Sequence, residues 1–291
     1  MAFPAPESLP ALSAVADSYD VVLCDVWGVI HDGVRSFPAA CEALQRFRET
    51  TGPVVLISNS PRPWDDVVHQ LDSLGVPRAA WGAFVTSGDV TRDELAKAAP
   101  GPAWAISAKR ESTIYDGLGM TFAGPEDAAF ISCTGLTNDD YETPEDYRDA
   151  LSIAAARKIP MICANPDKVV QRGETLIWCA GALADLYLEL GGGPVTIAGK
   201  PAAAIYDRTL AEATRLLGRP VDRSRVLCIG DGLPTDVKGA NDQGLDLLYV
   251  AAGIHAAEAL DASGALDPLG VSEMLERAGA HARYATAELR W

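Results

Sequence analysis

The chain has 291 residues, 48% of them hydrophobic, enough to bury a substantial core in one large or two smaller domains. Its 40 Asp and Glu outnumber 24 Lys and Arg, for a formal net charge of -16. That charge repels phosphate backbones and anionic lipid, so nucleic acid and membrane are excluded as expected partners and a bound cation is favoured.

Met1 to Asp17 has no basic start and no long apolar core, and no later run reaches the roughly 18 apolar residues of a membrane span, so a cytoplasmic protein is expected. The cysteines Cys24, Cys41, Cys133, Cys163, Cys179 and Cys228 form no C-x-x-C pair and lie mostly inside apolar runs. They are predicted to be buried reduced thiols, not disulfides or zinc ligands.

Val21 to Cys24 is a continuous apolar, β-branched run, the pattern of a strand covered on both faces of a parallel sheet, and it stops at Asp25 before a turn glycine, Gly28. Phe37-Pro38 opens a helix running through Thr50, with Ser36 as the expected N-cap and Leu44 and Phe47 inward. Val54 to Ile57 is a second buried strand ending at Ser58-Asn59, and a helix from about Pro63 to Leu74 closes at Gly75. This β-α-β-α order continues into a strand over Ala83 to Thr86.

From Ala103 to Cys163 the texture changes to short strands, over Trp104 to Ser107, Ala128 to Cys133 and Pro160 to Cys163, separated by helices such as Pro144 to Arg157. A second domain is expected over residues 88–189, with Gly191-Gly192-Gly193-Pro194 as its exit hinge. Residues 1–87 and 190–291 then form the first domain. In its second half Val195 to Ala198 is a strand ending at Lys200, Ala202 to Leu217 an amphipathic helix, Val226 to Ile229 a strand ending at Asp231, and Leu245 to Val250 a further strand. The Ala-rich tail from Ala256 reads as mostly helical, without an assigned role.

Four strands thus end in Asp25, Ser58-Asn59, Lys200 and Asp231, and a parallel sheet gathers such carboxyl ends at one edge, where ligands of open α/β sheets bind. Asp25 and Asp231, with Asp236 in the following turn, supply hard oxygen ligands suited to Mg²⁺. Asp236 reads equally as a first-turn charge stabilised by the helix dipole. Ser58, Asn59 and Lys200 supply donors for an anion, and a phosphate suits both halves. Gly193 to Lys200 only echoes a P-loop, because Pro194 and Pro201 stand where glycine and a metal-binding hydroxyl belong.

These residues resemble the motifs of haloacid-dehalogenase (HAD) superfamily hydrolases of class IIA, the NagD-like phosphatase group. The resemblance rests on Asp25-Val26-Trp27-Gly28-Val29, Ser58-Asn59, Gly199-Lys200-Pro201 and Gly230-Asp231 with Thr235-Asp236; Thr86-Ser87-Gly88, Asn165-Pro166-Asp167 and Gly181-Ala182-Leu183 add to it. It implies an α/β fold, a Rossmann-like parallel-sheet core with an inserted α/β cap domain of C2 type, and a homodimer is compatible with it. It implies further that Asp25 is a nucleophile forming an aspartyl-phosphate and that Mg²⁺ is held by Asp25, the Trp27 carbonyl, Asp231 and Asp236. Ser58 and Asn59 would hold the phosphoryl oxygens, Lys200 would neutralise charge, and Asn165 and Asp167 of the cap would meet a small phosphorylated metabolite. Turn formation alone also accounts for Asn-Pro-Asp.

The chain departs from the group at Trp27, where phosphatases of the superfamily usually carry a second Asp as general acid and base. Indole has no proton that titrates near neutrality. His31 and Asp32 in the same loop are the local candidates for a substitute, although Asp32-Gly33 is also a common turn dipeptide. The leading expectation is an Mg²⁺-dependent phosphatase. A slow phosphotransferase and a phosphometabolite-binding protein with little turnover are the alternatives.

Overall fold

The computed structural model describes residues 4–172 and 175–291. The chain divides into two compact units, one formed by residues up to Ser58 with Val68–Val85 and Tyr206–Trp291, the other by Asn59–Val67 and Thr86–Ile205.

The first unit is built on a seven-stranded sheet in the order Glu7–Ser8, Tyr284–Thr286, Asp246–Val250, Val226–Gly230, Val21–Cys24, Val54–Ser58, Ala83–Thr86. Val21–Cys24 is wholly buried, which is why its sequence is apolar at every position and does not alternate. It pairs in parallel with both neighbours, Val21 opposite Val226 and Val22 opposite Val54. Asp25, Ser58 and Asp231 therefore stand at or just beyond the carboxyl ends of three adjacent strands.

The tail that the sequence left without a role supplies a strand of this sheet: Tyr284–Thr286 pairs in parallel with Leu248 to Val250 on one side and Glu7–Ser8 on the other. The helix Pro38–Thr50 begins at Phe37, whose side chain makes no capping bond, so Ser36 is not its N-cap. Pro38 at the first helical position pre-sets the backbone there, and Ser36 instead bridges to His31.

The second unit has a four-stranded sheet in the order Val195–Ile197, Met161–Cys163, Phe130–Cys133, Ala103–Ile106, with parallel registers throughout. Leu151, Ala154, Leu183 and Tyr187 of the helices Arg148–Ala156 and Ala180–Glu189 pack with Ile131 and Met161 in its core. The strand leading to Lys200 belongs here, Val195 opposite Met161, and not to the seven-stranded sheet as the order of motifs suggested. Its apolar residues identify a strand, but its partner depends on pairing with a segment more than 30 residues away. An antiparallel pair, Val169–Arg172 with Thr175–Trp178, was not anticipated. Ser87–Ala98 starts with a reciprocal capping box, in which Thr86 Oγ1 accepts from the Asp89 N–H and Asp89 Oδ2 from the Thr86 N–H.

All six cysteines are buried and free of disulfides. Among the described residues no helix is long and apolar enough to cross a membrane.

Candidate active site

In the first unit the carboxylates of Asp25, Asp231 and Asp236 converge, each offering an oxygen within 4.8 Å of the others, and all three residues are buried. Three buried acids this close repel one another unless a cation lies among them. Hard oxygens alone in the set suit Mg²⁺, so the residues present fit that ion.

The backbone around this cluster is shaped for close approach. A Cβ on Gly28 or on Gly253 would run into the Asp231 carboxylate, and one on Gly230 would run into Asp236. Gly28 also has φ +82°, the left-handed region that side chains disfavour. Asp231 Oδ2 accepts the Ile254 N–H at 2.8 Å, so the turn after Asp246–Val250 aims this carboxylate. Gly253 and Ile254 escaped the sequence reading, although a glycine just beyond a strand end was a visible signal.

Asp236 does not sit in an ordinary first helical turn. Leu233–Val237 forms a widened turn in which the Gly232 carbonyl accepts from both Asp236 and Val237, at 2.8 and 3.0 Å, before the α-helix Lys238–Gln243 begins. Across this turn Asp236 Oδ2 accepts the Gly232 N–H at 3.0 Å.

The loop after Asp25 folds over Trp27. Gly28 donates to the His31 carbonyl at 2.8 Å, and Gly33, with φ +85°, lies flat against the indole where a Cβ would clash with the ring. His31 is buried and its Nδ1 accepts the Gly33 N–H at 3.0 Å. Burial pushes the imidazole down to about 4, against a smaller opposing effect of the Asp32 charge. Asp32 accepts the N–H groups of Val34 and Arg35 at 2.9 and 2.8 Å. Its pKa is lowered by these bonds and by Arg35, which outweigh the opposing effect of burial. Both residues thus serve the turn.

In the second unit Asn59, Lys200 and Asp167 come together. Asn59 Oδ1 accepts the Lys200 N–H at 2.7 Å, and Asn59 Nδ2 donates to Asp167 Oδ1 at 3.1 Å and to the Lys200 carbonyl at 3.4 Å. Asn165 Oδ1 accepts the Asp167 N–H at 3.0 Å, closing the Asn-Pro-Asp turn. Ser87 Oγ is fully buried with no hydrogen-bond partner and stands 3.0 Å from where a Gly199 Cβ would be.

Comparisons with known proteins bear on the family of the chain. A family profile described as haloacid dehalogenase-like hydrolase matches residues 22–121, and a second, HAD-hydrolase-like, matches residues 197–278. A solved haloacid dehalogenase-like family hydrolase from Brucella suis is 46% identical, with a TM-score of 0.85 over 98% of this chain and 99% of its own. The 5'-nucleotidase YutF of Bacillus subtilis is 27% identical over 83% of this chain and 90% of its own length. A D-glycerol 3-phosphate phosphatase of Mycobacterium tuberculosis is also 27% identical, over 84% of this chain and 67% of its own. The chain belongs to the haloacid dehalogenase-like hydrolases.

Proposed function

We propose that the protein is an Mg²⁺-dependent phosphatase of a small phosphorylated metabolite, working through an aspartyl-phosphate on Asp25. The observation that carries this reading is the convergence of Asp25 and Asp231, at adjacent strand ends of one sheet, with Asp236 from the turn that follows. The relatives named for action on nucleotides and glycerol 3-phosphate support a small phosphate ester as substrate.

Mg²⁺ held by Asp25, Asp231, Asp236 and the Trp27 carbonyl would neutralise charge on the phosphoryl oxygens. A carboxylate oxygen of Asp25 attacks phosphorus while the bond to the leaving oxygen breaks; water then attacks the same phosphorus, releasing phosphate and restoring Asp25. Ser58 and the Asn59 segment hold the transferring group, and Lys200 offsets the charge of carboxylate and phosphate brought together. Residues 88–189 act as the cap that reads the rest of the substrate, and the six reduced thiols support a cytoplasmic setting.

Trp27 favours a second reading, a slow phosphotransferase or other aspartyl-phosphate enzyme whose leaving group needs no proton. A missing general acid costs typically 10² to 10⁴-fold and leaves the nucleophilic step in place. The test is phosphate release from a panel of phosphorylated metabolites with and without Mg²⁺. Release of phosphate from at least one ester, lost on chelation, is expected; undiminished release after exhaustive chelation would overturn the metal-dependent reading.

A further inference from the structure

We propose that Asp167 is a positioning residue for Lys200, acting through the carboxamide of Asn59. The proposal rests on the reading above, in which Lys200 offsets the charge of the phosphoryl group.

Asn59 grips the main chain of Lys200 at two points, accepting its N–H at 2.7 Å and donating to its carbonyl at 3.4 Å. A carboxamide has an accepting end and a donating end of nearly the same shape, so a rotation of 180° would exchange them and set an NH₂ against the Lys200 N–H. Asp167 adds to the cost of that rotation, which the Lys200 N–H and the long 3.4 Å contact to its carbonyl already oppose. An ionised carboxylate only accepts, and its Oδ1 lies 3.1 Å from Asn59 Nδ2, so only one orientation of the amide satisfies both neighbours.

Asp167 is itself held from two sides. Its N–H donates to Asn165 Oδ1 at 3.0 Å, and its carbonyl accepts the Gly181 N–H at 3.1 Å, at the start of the helix Ala180–Glu189. A Cβ on Gly181 would collide with the carbonyls of Pro166 and Asp167, so this glycine lets the Asn-Pro-Asp turn lie against the helix.

Gly199, next to Lys200, completes the contact. A Cβ there would overlap Pro166 Cδ and stand against Asn59 Oδ1, so the turn before the lysine packs directly on the turn that holds Asp167. Lys200 is only 2% exposed. A buried ammonium has little solvent to absorb a displacement, so small shifts of its main chain change what its charge can reach. Through Asn59 the carboxylate of Asp167 thus acts on the lysine's segment.

The experiment compares full-length wild type with Asp167→Ala, Asp167→Asn, Asn59→Ala and the Asn59→Ala/Asp167→Ala double variant. Amide hydrogen exchange at Lys200 reports the clasp without any ligand. Turnover of p-nitrophenyl phosphate with Mg²⁺ reports its consequence, with thermal unfolding as the control for folding. Asp167→Ala is expected to speed exchange at Lys200 and to lower kcat by about 10- to 100-fold with a smaller change in KM, the usual effect of a slight misplacement. Asp167→Asn, oriented with its carbonyl toward Asn59, keeps an acceptor and is expected to restore most of both. In the Asn59→Ala background, Asp167→Ala is expected to add nothing. Independent, multiplying effects of the two substitutions, or exchange at Lys200 that Asp167→Ala leaves unchanged, would overturn the proposal. Absence of turnover in wild type would instead remove the phosphatase reading, and the exchange measurement would still decide the clasp.

Discussion

The ring of Trp27 meets the imidazole of His31 edge-on, with centroids 5.1 Å apart and planes at 72°. The two residues also bridge through their backbones, and Gly33 lies against the indole. Where the resembling phosphatases usually carry an acid, this chain carries an aromatic wall held by the turn that follows it. His31 offers Nδ1 to the Gly33 N–H and Asp32 its carboxylate to the turn amides, so both local substitutes have structural employment.

Aryl phosphates are therefore expected to be cleaved much faster than alkyl phosphates, because an aryloxide departs without a proton and an alkoxide does not. A leaving-group series on wild type measures this. Trp27→Asp is expected to raise alkyl turnover selectively, with thermal unfolding checking that the loop survives loss of its aromatic. Equal aryl and alkyl rates in wild type would mean that another group supplies the proton, and loss of alkyl activity in His31→Ala or Asp32→Asn would name it.

Gly253→Ala is expected to weaken Mg²⁺ activation by at least about tenfold, because its Cβ would press on the carboxylate of Asp231. A Mg²⁺ titration of activity, paired with calorimetry of Mg²⁺ binding, measures the shift. Unchanged Mg²⁺ affinity in a folded Gly253→Ala variant would show that Asp231 tolerates the displacement.

Glu111 gives a pH dependence with a definite sign. Its carboxyl is held above the ordinary range chiefly by burial, against the hydrogen bond from Thr134 and the charges of Arg110 and Arg62. The thiols of Cys133 and Cys179 and the phenol of Tyr115 are its other titratable neighbours. A carboxyl whose folded pKa is raised contributes fully below its unfolded pKa, and that contribution is lost as pH rises through the folded value. Glu111→Gln should therefore gain thermal stability relative to wild type as pH rises from about 4 toward neutrality, by about 1.4 kcal/mol for each unit of raised pKa. Paired unfolding curves across that range check it; a difference that is flat or of opposite sign would contradict it.

Much of the first unit was legible because burial on both sheet faces writes itself as unbroken apolar runs. Val21 to Cys24 and Val54 to Ile57 announce their strands, and Asp25 and Ser58 fall at the expected ends. Less legible was anything that depends on partners distant in the chain. Val195 to Ile197 looks like any buried strand, and only its pairing with Met161 to Cys163 assigns it to the second sheet. The two-residue strand Glu7–Ser8 is too short to leave a pattern. The Asn59–Asp167 bond spans 108 positions, and each residue alone has an adequate local explanation as a loop or turn former. The widened turn at Asp236 was hidden for a different reason, since Pro234 is equally at home in the first turn of an ordinary helix.

The central claim is that Asp25 carries the phosphoryl group in transit. Wild type would be mixed with p-nitrophenyl phosphate and Mg²⁺, quenched in acid within a turnover, and reduced with borohydride, which converts an aspartyl-phosphate to homoserine. Peptide mass spectrometry then reads position 25. Homoserine there, absent from Asp25→Asn and from wild type without substrate, is the expected result. Unmodified Asp25 throughout a measured turnover, or substantial phosphatase activity in a well-folded Asp25→Asn variant, would contradict it.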